Sequence, residues 1–181
     1  MVYLFLADGF EECEALIPLD ILKRADVEIK TVGVTGKYVE GAHGITVKSD
    51  ISPKEISFDE KLEGIILPGG MPGTLNLEKS VVVQNAIDFV SQRKLLLCAI
   101  CAAPSILGHK GLLKNKKATC FPGFENDMPE ADIIDSSVVT DDNIITAKGV
   151  GVAFDFGFEI LTHIKDRTTA QNLKKQMQFN I

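Results

Sequence analysis

Leu95-Leu-Leu-Cys-Ala-Ile-Cys-Ala-Ala-Pro104 is the stretch on which the fold reading turns. Its apolar half, Leu95–Ile100, reads as a strand buried on both faces, since a half-solvated strand would alternate polar and apolar positions. Ala102–Leu107 then reads as the start of a helix. Cys101 stands at the strand-to-helix junction, where a sharp turn projects a side chain outward in the manner of a nucleophile elbow. Ala99, Ala102 and Ala103 supply the small neighbours that such a crowded turn needs.

The same alternation runs outward in both directions. Val2–Leu6, Val27–Val34, Ile45–Lys48 and Gly64–Leu67 read as strands, and Glu11–Arg24 and Val81–Arg93 as helices, the first disturbed at Pro18 because proline removes a backbone donor. Val138–Val139 and Asn143–Thr146 bracket Asp141-Asp142, a hairpin signal. Val152–Ile164 is apolar nearly all round and reads as a buried helix, with Thr168–Gln176 as the last. Strands alternating with helices predict an α/β domain with a mostly parallel central sheet covered on both faces. Sites in such folds lie beyond the carboxyl ends of the strands. Three of these ends carry unusual loops: ADGFEE at 7–12, PGGMPG at 68–73 and ICAAP at 100–104. All three are expected on one edge.

The bulk properties narrow the function. At 181 residues the chain suits one domain spanning 1–181, and 45% hydrophobic with 24% charged residues is an ordinary globular mixture. A net charge of -6 disfavours a nucleic-acid partner. The basic cluster Lys114-Asn-Lys-Lys117 reads as a solvated loop. No run approaches the length of a membrane span, and the first residues lack a signal-peptide pattern, so a cytoplasmic protein with four reduced cysteines is expected.

Chemistry therefore centres on Cys101. A helix N-terminus favours thiolate, the reactive form. Cys98 lies inside the strand, so the Cys98–Cys101 spacing fits neither a thioredoxin-type pair nor a disulfide: three extended residues span about 10 Å. Zinc is not expected either, because His43, His109 and His163 are scattered. Glu11, Glu12 and Glu14 open the first helix on the same edge. Acidic residues there complement the helix dipole, which accounts for Glu11 and Glu12. A buried carboxyl among them would have a raised pKa and could shuttle protons. Backbone amides at Gly70 and Ala102 could bind an oxyanion, with Gly69 beside them. No phosphate-binding GK[ST] follows the glycines.

Taken together, ADGFEECEALIPLDILKRA, ILPGGMPGTLNL, AICAAP and TAKGVGVAFDFGFEIL resemble the ThiJ/PfpI superfamily, in particular the branch of the Parkinson-disease-associated protein deglycase. The resemblance implies a flavodoxin-like three-layer sandwich and a homodimer. It implies that Cys101 is an oxidation-prone nucleophile and Glu14 its protonated partner, with Gly70 and Ala102 as amide donors. Arg24 would be a basic residue at the dimer-proximal end of the site, and Cys120 and Phe121 would lie at its periphery. Phe121 stands where some relatives carry histidine, so the Cys–His dyad of a peptidase or amidase is disfavoured. The implied activity is detoxification of small 2-oxoaldehydes such as methylglyoxal or glyoxal, of glutathione-independent glyoxalase or deglycase type, with no cofactor and no metal. The alternative is an oxidative-stress sensor or redox-regulated chaperone in which Cys101 is oxidised to sulfinate.

Overall fold

The computed structural model describes residues 1–179. In chain order its strands are β1 Val2–Leu6, β2 Ile29–Gly33, β3 Tyr38–Glu40, β4 Thr46–Lys48, β5 Gly64–Leu67, β6 Leu96–Ile100, β7 Lys117–Ala118, β8 Asp132–Ile133, β9 Val138–Asp141 and β10 Ile144–Ala147. The helices are α1 Glu12–Arg24, α2 Gly73–Lys79, α3 Val81–Gln92, α4 Pro104–His109, α5 Ala153–Ile164 and α6 Arg167–Gln176. Six strands form the central sheet in the order β2-β1-β5-β6-β10-β9. Every pairing in it is parallel except β9 with β10.

Burial explains this sheet. All residues of β1, β5 and β10 are buried, so each strand feeds two cores at once. One core joins Leu4, Leu6, Ile66, Cys98 and Ile100 to α1, α5 and α6 through Ile21, Phe156 and Leu173. The other joins Phe5, Ile65, Leu67, Leu97 and Ala99 to α2, α3 and α4 through Leu77, Ile87 and Ile106. The result is the expected three-layer sandwich. At about 25 cal/mol per Å² of apolar surface, each fully buried Leu or Ile contributes roughly 1.5–3 kcal/mol, so the sheet is the stable frame on which the loops are mounted.

Four local expectations change. Helix α1 runs unbroken through Pro18, and a Cβ added to Gly157 of α5 would meet Pro18 Cα at 3.1 Å; tight packing against α5 holds the helix through its missing hydrogen bond. The predicted strand at 45–48 is one arm of a hairpin, β3 with β4, outside the main sheet. Helix α2 follows the glycine loop directly, where no helix was expected. Helix α4 begins at Pro104 rather than Ala102, because proline fits the first helical turn; Cys101–Ala103 form a separate turn before it. Among the described residues, no helix is long and apolar enough to cross a membrane.

Candidate active site

The carboxyl ends of β1, β5, β6 and β10 deliver four loops to one edge, and backbone hydrogen bonds lock these loops together. Glu11 N donates to Gly69 O at 2.9 Å, joining the first loop to the second. Cys101 N donates to Ala147 O at 2.9 Å, joining the elbow to the end of β10. Phe121 N donates to Cys101 O at 2.8 Å, bringing the Thr119–Phe121 segment alongside. The sequence pointed to three of these loops; the one after β10, residues 148–152, completes the site.

Cys101 has φ 65°. Left-handed backbone at a residue with a Cβ is strained, and the strain holds the side chain off the strand axis, out at the edge. Cys101 is partly buried, whereas Cys98 and Cys120 are buried and Cys13 is exposed. The turn is braced by Ser105 Oγ, which donates to Ala102 O at 2.7 Å.

Glu14 is the partner that the geometry brings to Cys101. Its side chain is buried, and Gly69 N donates to its Oε2 at 3.0 Å. The Val150 amide and the Cys101 thiol lie close enough to this carboxyl to favour its charged form. Burial raises Glu14 from 4.5 to about 7, against the pull of these donors. Burial also pushes the Cys101 thiol up to about 12, and the neighbouring Glu14 charge adds to the rise; the Gly70 and Ala102 amides act in the opposite direction. Two negative charges do not fit this pocket, so near neutral pH the thiol and carboxyl hold at least one proton between them. The ready-made thiolate expected from a helix N-terminus is thus corrected: α4 starts three residues later, and ionising Cys101 is coupled to a proton on Glu14.

Gly69 and Gly70 allow the close approach. A Cβ on Gly69 would lie 2.6 Å from both Cys101 Cβ and Glu14 Oε2, so any other residue would drive the pair apart. Gly70 has φ 89°, and a Cβ there would meet Glu11 N at 2.3 Å. With this backbone, the Gly70 amide faces the Cys101 sulfur together with that of Ala102.

The two other glutamates of the turn are structural. Glu11 is the N-cap of α1, its carboxylate accepting from Glu14 N at 2.7 Å. Glu12 is buried and anchors the 41–45 loop, accepting from His43 N at 2.8 Å and from His43 Nδ1 at 2.7 Å. That anchoring role carries no local sequence signal, because its partner lies 31 residues away. The roles of Gly149 and Val150 were also missed, although both fall within the motif matched to the buried helix. Arg24 lies at the far end of α1, about 15 Å along the helix axis from Glu14 at 1.5 Å per residue, and its Nε donates to Asp20 at 2.6 Å. Within one chain it does not reach the pair. Cys120 borders the site through its chain neighbour Phe121, but its side chain packs into the core on the other side of the sheet. A hollow of about 670 Å³ lined by Asp8, Tyr38, Glu40, Met71 and Pro72 opens beside the site, sharing two of its loops.

The DJ-1/PfpI family profile matches residues 1–163. The chain belongs to the DJ-1/PfpI family. Among curated members, it is 31% identical over 173 residues to the Parkinson disease protein 7 homolog of Danio rerio, covering 93% of this chain and 92% of that protein. It is 30% identical to a deglycase of Pyrococcus abyssi, covering 91% of this chain and 99% of the relative. It is 28% identical to the glutathione-independent glyoxalase DJR-1.2 of Caenorhabditis elegans, covering 92% and 89%. The structure of oxidized Toxoplasma gondii DJ-1 superposes with a TM-score of 0.94 at 27% identity, covering 99% of this chain and 98% of that one. The flavodoxin-like reading of the DJ-1/PfpI fold therefore stands.

Proposed function

We propose that the chain detoxifies small 2-oxoaldehydes without a cofactor, with Cys101 as nucleophile and Glu14 as general acid–base. The observation that carries this reading is the buried Glu14 carboxyl set beside Cys101, with a Cβ on Gly69 falling 2.6 Å from both. As the substrate aldehyde approaches, Glu14 takes the thiol proton and the sulfur adds to the aldehyde carbon. The Gly70 and Ala102 amides stabilise the oxyanion as it forms, and Glu14 returns the thiol proton to it, giving a hemithioacetal and leaving Glu14 as carboxylate. Glu14 then removes the hydrogen of that carbon as a proton, forming an enediol, and returns a proton to the adjacent carbon. The first carbon is now a thioester and the second a hydroxyl-bearing carbon. Water hydrolyses the thioester, releasing a 2-hydroxy acid and restoring the thiol. Methylglyoxal and water become lactate and a proton; the oxidation of one carbon balances the reduction of the other, so no external electron carrier enters. The names of the two relatives, a deglycase and a glutathione-independent glyoxalase, support the same substrate class.

The test is lactate formation from methylglyoxal by the purified chain with no added thiol. Turnover in the wild type and none in Cys101→Ala supports the reading; equal rates in the two refute it. A second reading draws on the partial burial of Cys101 beside amide donors. Hydrogen peroxide would convert the thiol to sulfenic acid and water, and a second equivalent would give sulfinate, held by Glu14 and the same amides. A wild type that gains oxygen mass at Cys101 but shows no turnover would favour this reading over the enzyme.

A further inference from the structure

Phe121 sets an apolar ring beside the elbow, and the structure gives that ring a definite position. Its amide is tied to the carbonyl of Cys101 at 2.8 Å, so its backbone cannot drift from the elbow. The residue is 47% exposed, so its ring faces the opening rather than the core. Gly149 marks the gap between ring and carboxyl: a Cβ there would stand 3.3 Å from Phe121 Cδ2 and 3.7 Å from Glu14 Oε1. The next residue, Val150, presents its amide to Glu14 and leaves its side chain half exposed on the same rim. The reacting pair thus opens past two apolar side chains separated by a glycine.

Glu11 and Glu14 put carboxyl groups at this opening. Glu11 lies close enough to Glu14 to raise its pKa, and Lys148, next to Gly149, is engaged by Asp135. A carboxylate or phosphate on a substrate would meet carboxyl groups rather than a free cation, whereas an apolar substituent would find a ring face to cover.

We propose that Phe121 is the specificity-determining wall of this site and selects neutral 2-oxoaldehydes bearing an aromatic or bulky apolar substituent over methylglyoxal. The inference rests on the enzymatic reading of Cys101 and Glu14 and adds the substrate class to it. The ring of such a substrate would lie against Phe121 above Gly149, leaving its aldehyde carbon toward the sulfur. Selection of this kind shows mainly in KM, since the wall contacts the substituent and not the reacting carbons.

The experiment measures kcat/KM for phenylglyoxal and for methylglyoxal, without added thiol, in the wild type, Phe121→Ala, Phe121→His and, as a control away from the rim, Phe154→Ala. The wild type is expected to favour phenylglyoxal by about tenfold or more, the scale on which an apolar pocket discriminates. Phe121→Ala and Phe121→His should both bring the ratio close to one, the second guarding against a folding defect in the first, and Phe154→Ala should leave it unchanged. Turnover of both substrates with a ratio that the Phe121 variants do not move overturns the wall and leaves the enzymatic reading standing. No turnover of either substrate by the wild type overturns the enzymatic reading and the wall with it.

Discussion

Replacing Glu14 with glutamine should separate the proton of the Glu14–Cys101 pair from the shape of its pocket. In the folded chain Glu14 loses its proton at about 7, against 4.5 for an ordinary glutamate, with burial as the main cause. Between these two pH values the folded chain holds a proton that the unfolded chain has released. Stability therefore falls as pH rises through that window, and is fully retained below it. At about 1.4 kcal/mol per pH unit, the loss attributable to this one group is about 3 kcal/mol. Glutamine keeps an acceptor for the Gly69 amide and cannot ionise, so Glu14→Gln should lack this component. The assay is urea unfolding of wild type and variant at intervals from about pH 4.5 to about pH 7.5. Relative to the variant, the wild type should weaken by about 3 kcal/mol across the series, while 2-oxoaldehyde turnover in the variant drops by about 100-fold or more. The variant should also titrate its Cys101 thiol about 1–3 pH units lower, because a like charge beside it is gone. Parallel stability curves would refute the burial argument, and an unchanged thiol titration would refute the coupling of the two groups.

Two further outcomes follow from the same geometry. Gly69→Ala should abolish turnover and lower stability by about 1–3 kcal/mol, as overpacking does, since its methyl would lie 2.6 Å from both members of the pair; a melt and a turnover assay that match wild type would refute the contact. Brief iodoacetamide treatment near neutral pH, followed by mass mapping, should label exposed Cys13 ahead of Cys101, whose thiol is pushed up to about 12 by burial and by the Glu14 charge, and should leave fully buried Cys98 unmodified; Cys98 labelled ahead of the others would contradict the elbow.

The parts legible in the sequence were those written locally. Leu95–Ile100 announced a buried strand because nothing polar interrupts it, and Asp141-Asp142 announced the β9–β10 hairpin. The order of the sheet was not legible, since the pairing of β6 with both β5 and β10 depends on contacts far apart in the chain. Cys101 could be picked from its junction, but choosing Glu14 over Glu11 and Glu12 required the family resemblance. The structure supplies the physical reason: Glu11 turns back to cap the helix, Glu12 turns outward to the 41–45 loop, and only Glu14 enters the pocket of Gly69 and Cys101. The start of α4 was misplaced by reading small residues after Cys101 as helix, when Pro104 was the better marker. Arg24 matched a motif position, and within one chain it lies about 15 Å along α1 from Glu14.

The first turn of α1 carries three carboxyl groups that serve a helix end, a distant loop and the Cys101 thiol. An α-helix turns about 100° with each residue. A one-residue insertion or deletion between the first loop and Ala15 would therefore re-aim all three groups together, and no repair at a single position could restore them. Substitutions in this turn act one function at a time, but its length is a setting shared by all three, so the spacing of the glutamates constrains this stretch more tightly than the identity of any one of them.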